Sequence, residues 1–119
     1  MSPTITIEPE VPLTDRITAF LPAQGSFEVQ HDQEGKTHNW HRHSIDETLF
    51  VIDGVLNVFW LQDGEVRRHS CGPNSKLQLP ANTVHGSTAG EGGCVYLIAP
   101  DAGQTAETTF LPEAKHPAT

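Results

Sequence analysis

The chain has 119 residues, 36% hydrophobic and 18% charged, which is the size and balance of one globular domain with a single core. Its formal net charge is −8, and the seven Lys and Arg residues form no basic cluster, so nucleic acid and anionic membranes are excluded as expected partners. The N-terminus lacks the basic and apolar regions of a signal peptide, and no apolar run approaches the roughly 20 residues of a bilayer span, so a cytoplasmic location is expected.

Short segments rich in β-branched and aromatic residues alternate with turn residues along the chain. This spacing is typical of an all-β sandwich or barrel. Asp53-Gly54 and Asp63-Gly64 each predict a tight hairpin turn, because Asp-Gly accommodates the positive φ angles of two-residue loops. The predicted strands, in chain order, cover residues 5–7, 26–31, 39–43, 48–52, 55–61, 65–69, 76–79, 84–88 and 95–99.

The two ends of the chain differ from this pattern. Residues 1–24 contain prolines and a short Thr/Ile alternation, and we interpret them as an N-terminal arm. Residues 100–119 are rich in Pro, Ala and Thr and are predicted to form a C-terminal tail. The barrel itself is assigned to residues 25–99. Cys71 and Cys94 match neither a disulfide framework nor a CxxC site, so both are expected to be free, buried thiols.

One group of residues in the third predicted strand has the pattern of a metal site. His41 and His43 are two residues apart, so in a strand both imidazoles project from the same face. Glu47 follows at an even offset and can return to that face if the chain stays extended. Two nitrogen ligands and one oxygen ligand within seven residues form a credible transition-metal site.

The surrounding sequence strengthens this interpretation. From Gly35 to Gly54 the chain reads G-x5-H-x-H-x3-E-x6-G, which resembles the first conserved motif of the cupin family at every defining position. From Asn74 to His85 it resembles the second motif, G-x5-P-x-G-x2-H, with asparagine at both glycine positions. Asparagine tolerates left-handed φ best after glycine, so Asn74 and Asn82 are expected to make the same turns. The final asparagine of that motif is absent, since Ala89 occupies its position.

The resemblance implies a cupin-type β-barrel, that is, a double-stranded β-helix or jelly roll, with one divalent metal ion. The implied metal ligands are His41, His43, Glu47 and His85, and small proteins of this family commonly form homodimers. The Thr4–Ile7 alternation could add a strand to the sheet of a second copy, or it could be a local edge strand.

The remaining candidates follow from strand alternation. His38 and Trp40 are out of phase with the ligands and are expected to face away from the ion, whereas Asn39 is in phase and could support a ligand. Lys76 is the nearest candidate cation on the second motif. The pocket is expected to be apolar and aromatic, drawing on Phe27, Phe50, Phe59, Trp60 and Tyr96, while His31, His69 and His116 are expected at the surface.

Four protein ligands on an ion that favours six leave two adjacent positions open, which is the mark of a catalytic site. The first expectation is a dioxygenase-like oxidoreductase in which Fe(II) binds a small chelating organic substrate beside O2. The alternative is a non-redox isomerase, cyclase, lyase or decarboxylase, in which the ion acts as a Lewis acid and Glu47 or another side chain moves protons. A non-catalytic metal- or ligand-binding module is the third class. Mn, Ni, Zn and Cu remain alternative ions, since such ligand sets accept several metals.

Overall fold

A computed structural model of the chain describes residues 2–117. Within that range the chain forms strands separated by short turns, one α-helix and two short 3-10 turns, at Asp101–Gly103 and Glu113–Lys115. The α-helix, α1, spans Leu13–Phe20. The strands are β1 (Thr4–Ile7), β2 (Glu28–Asp32), β3 (Thr37–His43), β4 (Glu47–Gln62), β5 (Glu65–Cys71), β6 (Ser75–Leu79), β7 (His85–Pro100) and β8 (Thr108–Phe110).

All strand pairs are antiparallel, and the two long strands β4 and β7 organise the sheet. The main order is β1-β6-β4-β7-β3-β8, with β2 also on β7 and β5 also on β4. The first half of β4 pairs with β6 and its second half pairs with β5. On its other edge, β4 pairs with β7 along most of its length. Because each long strand takes part in two groups of pairs, the sheet encloses one core, and the all-β jelly-roll prediction is confirmed.

The hairpin predicted at Asp53-Gly54 is wrong, because β4 runs through this point as one strand of 16 residues. Its register against β7 shifts between Val51 and Asp53 and again between Gly54 and Leu56, so the Asp-Gly pair forms a bulge. Odd-numbered residues before the bulge and even-numbered residues after it belong to the core, since the bulge reverses the alternation. Gly54 has a φ of 77°, and a Cβ there would collide with the carbonyl oxygen of Gly93.

The other turn predictions are confirmed. Asp63 and Gly64, with φ of 52° and 77°, connect β4 to β5 in the conformation of a tight hairpin turn. Asn74 and Asn82 have φ of 70° and 65°, so asparagine fills the left-handed positions at which the second motif has glycine. The amide of Asn82 donates to the carbonyl oxygen of His43 at 2.8 Å, which ties this turn to the end of β3.

Both terminal segments add a strand to the sheet, although the sequence placed them outside the barrel. β1 pairs with β6 of the same chain, from Thr4 opposite Gln78 to Ile7 opposite Ser75. It is therefore a local edge strand, which was the second of the two alternatives for the Thr4–Ile7 segment. β8 pairs with β3 over the same residues that carry the first metal motif. Homodimer formation stays a prediction.

The core consists of side chains from the inner faces of the central strands. Cys71 and Cys94 are buried and free, as predicted, and burial raises the pKa of each thiol to about 11. None of the helices among residues 2–117 has the length and hydropathy to cross a bilayer. The buried cluster comprises Leu49, Val51, Leu56, Val58, Trp60, Cys71, Leu77, Leu79, Ala89, Cys94 and Tyr96.

Candidate metal centre

Two adjacent strands bring three histidines together inside the barrel. His41 and His43 lie on β3, and His85, the first residue of β7, is directly opposite His41. Their ring centroids are 4.3 to 5.1 Å apart, and one nitrogen from each ring lies within 4.8 Å of the other two. This His triad could hold a metal ion.

Hydrogen bonds on the outer side of each ring set its orientation. The Nδ1 atoms of His41 and His85 donate to the carbonyl oxygens of Asn39 and Thr83, the latter at 2.8 Å. A carbonyl oxygen can only accept, so Nδ1 carries the proton and Nε2 presents its lone pair. The Nδ1 atom of His43 pairs with a hydroxyl oxygen at 3.0 Å. Such outer contacts are what fix the tautomer of metal-binding histidines.

Burial keeps the three imidazoles uncharged. It lowers the pKa of His43 to about 4 and that of His85 to about 3, and the neighbouring His41 ring adds to both shifts. For His41, burial also lowers the pKa, against the opposing effect of its hydrogen bond to Asn39. Neutral imidazole is the form that binds a metal ion, so the triad is ready for a cation at neutral pH.

Glu47 begins β4, directly after the turn that follows the ligand strand. Its Oε1 lies 3.2 Å from Nε2 of His43, so the carboxyl group reaches the edge of the triad. Burial, with a smaller contribution from the negative charge of Glu28, raises the pKa of Glu47 to about 7. A protonated carboxyl group can donate to this nitrogen, and a cation would replace that proton. The assignment of Glu47 as fourth ligand and as a proton-transfer group stays a proposal.

The C-terminal segment contributes two site residues that sequence reasoning missed. The hydroxyl oxygen of Thr108 is the partner of His43 Nδ1, and the ring of Phe110 packs on His41 with centroids 5.3 Å apart. Their position depends on the pairing of β8 with β3, in which Phe110 lies opposite His41 and Thr108 opposite His43. The Thr-Thr-Phe run of β-prone residues was the available sequence signal, but three residues inside a Pro- and Thr-rich tail are too few to predict a strand.

His38 faces the cavity, and the expectation that it faces away is wrong. The register of β3 against β7 shifts between His38 and His41, and this bulge reverses the alternation on which the expectation depended. Trp40 is buried away from the ligands and packs against Phe59. Asn39 supports His41 through its backbone carbonyl, while its side chain is exposed.

The triad lies in a cavity of about 410 Å³ with both apolar and polar walls. Of the predicted aromatic residues, Phe27 and Tyr96 line it, whereas Phe50 packs against Phe20 beneath α1. No Lys or Arg is found among the described residues that line the cavity, and Lys76 instead lies 3.7 Å from Glu8 near β1. The lining includes Phe27, Glu28, Gln30, His38, Leu49, Val58, Ser87, Tyr96, Ile98, Gln104, Thr105 and Phe110.

Comparison with solved structures places this architecture among known folds. Oxalate decarboxylase from Bacillus subtilis superposes with a TM-score of 0.66 at 22% identity, over 71% of this chain and 23% of that chain. An oxalate oxidase in complex with the substrate analogue glycolate gives 0.63 at 15% identity, over 71% and 45% of the two chains. The recombinant pro-11S globulin of pumpkin gives 0.64 at 15% identity, over 71% and 22%.

These likenesses show that the chain has the cupin fold, as its two motifs predicted. The chain spans less than half the length of each of these neighbours. No protein-family model and no curated protein sequence matches it. Enzymes and a seed globulin share the fold, so the function has to be argued from the site.

Proposed function

We propose that this protein is a metal-dependent enzyme that acts on a small organic molecule coordinated to one divalent cation. The observation that carries the proposal is the triad itself. Each of its three neutral imidazoles is held by a hydrogen bond at Nδ1, and the Nε2 atoms converge at the cavity. His41, His43 and His85 would hold the cation, with Glu47 as the fourth ligand. Imidazole and carboxylate donors suit Fe, Mn, Ni, Cu and Zn alike.

The open volume beside the triad supports catalysis rather than a purely structural ion. Structural sites are closed by protein ligands, whereas a cavity of about 410 Å³ adjoins these histidines. A bound cation would supply Lewis acidity or, if it is redox-active, activation of O2. The protein's own part is to orient the ligands and to offer both apolar side chains, among them Phe27 and Phe110, and polar groups to the substrate.

The composition of the cavity wall defines the class of substrate. Because no Lys or Arg lines the cavity within residues 2–117, an anionic group of the substrate would depend on the bound cation for its counter-charge, and Glu28 adds a negative charge to the wall. A second carboxylate on the substrate would lie against amide and hydroxyl groups without a counter-ion, at a cost in desolvation. We therefore expect a neutral or weakly acidic chelator, such as an enol, a phenol or a hydroxycarbonyl compound, in preference to a dicarboxylate.

Within this class, we propose oxygen-dependent turnover with Fe(II) as the working ion. His41, His43, Glu47 and His85 would hold the ion, and an ion that favours six ligands would then have coordination capacity left for substrate and O2. The test is turnover of a panel of enols, phenols and dicarbonyls by Fe(II)- and Zn(II)-loaded protein, with and without O2. Consumption of O2 by the iron form alone is expected. Full activity of the zinc form under nitrogen would refute the oxygenase proposal.

A non-redox isomerase or lyase is the second candidate, and a particular observation favours it. His38 in the cavity wall is hydrogen-bonded to a buried aspartate behind it, which is a proton-transfer arrangement that Lewis-acid chemistry needs. Metal analysis of protein purified without added metal separates the two candidates. Stoichiometric iron favours the oxygenase, and stoichiometric zinc favours the Lewis-acid enzyme.

A further inference from the structure

A second polar group, centred on Asp32, lies in the wall of the cavity beside the triad. Asp32 is 2% exposed, and its carboxylate accepts three hydrogen bonds. Gln30 donates to Oδ1 at 2.9 Å, while the Tyr96 hydroxyl and His38 Nε2 meet Oδ2 at 2.8 and 2.9 Å. Gln30, His38 and Tyr96 all line the cavity, so the aspartate is enclosed behind groups that face the substrate space.

The hydrogen bonds determine the charge of Asp32. Burial by itself would raise the pKa of this carboxyl, but the bonds from Gln30, Tyr96 and His38 outweigh burial, and the pKa is lowered. Asp32 is therefore an ionised carboxylate and can only accept hydrogen bonds. Nε2 of His38 must then carry a proton and donate it to the carboxylate, so Nδ1 is the nitrogen at which the ring can take up or release a second proton.

His38 lies in the cavity wall, where its ring can exchange a proton with a bound molecule. Its side chain is 31% exposed, and Asp32 is the one hydrogen-bond partner of the ring within residues 2–117. A carboxylate behind an imidazole fixes its tautomer and stabilises the imidazolium that forms when the ring takes up a proton. A purely structural role for Asp32 would not require the histidine to face the cavity.

We propose that Asp32 and His38 form the proton-transfer site of this protein, with His38 as the base that acts on a substrate held at the triad. The inference rests on the proposed metal site and on the second candidate function, the non-redox enzyme. His38 Nδ1 forms an N–H bond with a proton from the carbon next to the chelating carbonyl. The electron pair of the broken C–H bond stays on the substrate as an enolate, and Asp32 balances the new charge on His38. Return of the proton from His38 to the former carbonyl carbon, with transfer of the hydroxyl proton to the former carbonyl oxygen, completes the isomerisation of a hydroxycarbonyl substrate without any oxidant.

Hydroxyacetone is a suitable probe, because it is neutral, chelates a cation through two oxygens and has enolisable C–H bonds. Exchange of its hydroxymethyl hydrogens for deuterium in D2O is followed by proton NMR with Zn(II)-loaded protein. We expect His38→Gln to slow the catalysed exchange at least tenfold and Asp32→Asn to slow it as well, with zinc content unchanged. His69→Gln is the matched control, since this histidine is exposed on β5, and exchange should keep its wild-type rate.

A measurement without metal or substrate tests the same site. Nitrogen NMR of histidine-labelled wild-type protein should show the His38 ring protonated on Nε2 at neutral pH. A neutral ring protonated on Nδ1 alone would overturn the proposal, because the free nitrogen would then face Asp32. Unchanged exchange in zinc-loaded His38→Gln would overturn it too, as would zinc-loaded wild type that catalyses no exchange. Failure of the wild type to bind zinc would instead refute the proposed function on which the inference rests.

Discussion

Replacement of Glu47 by glutamine tests how the fourth ligand couples metal binding to pH. The side chain is buried and its Oε1 is 3.2 Å from His43 Nε2. Burial and, to a smaller extent, the charge of Glu28 together raise the pKa of Glu47 to about 7, whereas burial lowers the pKa of His43 to about 4. The proton displaced by a cation near neutral pH should therefore come from the carboxyl group and not from the imidazoles.

The expected stoichiometry follows directly from these values. At pH 6 a carboxyl group with a pKa of about 7 is roughly 90% protonated, so zinc binding should release about 0.9 proton from Glu47. At pH 8 the release from Glu47 should fall to about 0.1 proton. An imidazole with a pKa of about 4 should contribute only about 0.01 proton at pH 6. Zinc affinity should accordingly weaken by about tenfold per pH unit below 7.

Isothermal titration calorimetry in two buffers of different ionisation enthalpy measures this release. Glu47→Gln should bind zinc more weakly and release about one proton fewer at pH 6, and its affinity should lose most of its pH dependence between 7 and 5. Glu28→Gln is the matched control, because it removes the neighbouring charge but leaves the carboxyl group in place, so the release at pH 6 should fall only slightly. Release of two or three protons by wild type at pH 6, or equal release by wild type and Glu47→Gln, would refute the reasoning.

Further predictions concern the triad, one turn and the C-terminal strand. Alanine at any one histidine of the triad should lower zinc affinity at least tenfold, whereas His31→Ala should leave it unchanged; calorimetry showing equal losses would contradict the ligand assignment. Because Asn82 has a φ of 65°, Asn82→Val should lower the free energy of unfolding by about 1–2 kcal/mol in urea denaturation, while Asn82→Gly should be tolerated. Thr108→Val removes the hydroxyl partner of His43 and should weaken zinc binding about tenfold, but Thr109→Val, on the same exposed strand, should not. Equal affinities of the two threonine variants would exclude a positioning role for Thr108.

Much of the fold and the centre of the site could be predicted from local sequence. Strand segments, the Asp63-Gly64 turn and the left-handed asparagines follow from short-range preferences, which act between residues close in the chain. His41 and His43 share a face because strand side chains alternate, and this holds over two residues without knowledge of the partner strands. The resemblance of the two motifs then supplied His85, which no local rule connects to β3.

Tertiary structure decided what depends on pairing between distant segments. The bulge between His38 and His41 arises from the register of β3 against β7, so counting along β3 placed His38 on the wrong face. The bulge at Gly54 likewise reflects the close approach of the β4 and β7 backbones at this point, where the sequence alone predicted a hairpin. Thr108 reaches His43 only because a three-residue strand pairs across 65 positions of sequence. Sequence by itself determined which residues can bind a metal, since that is a property of their side chains; the folded sheet decided which other groups surround them, since register and bulges are set by partners far along the chain.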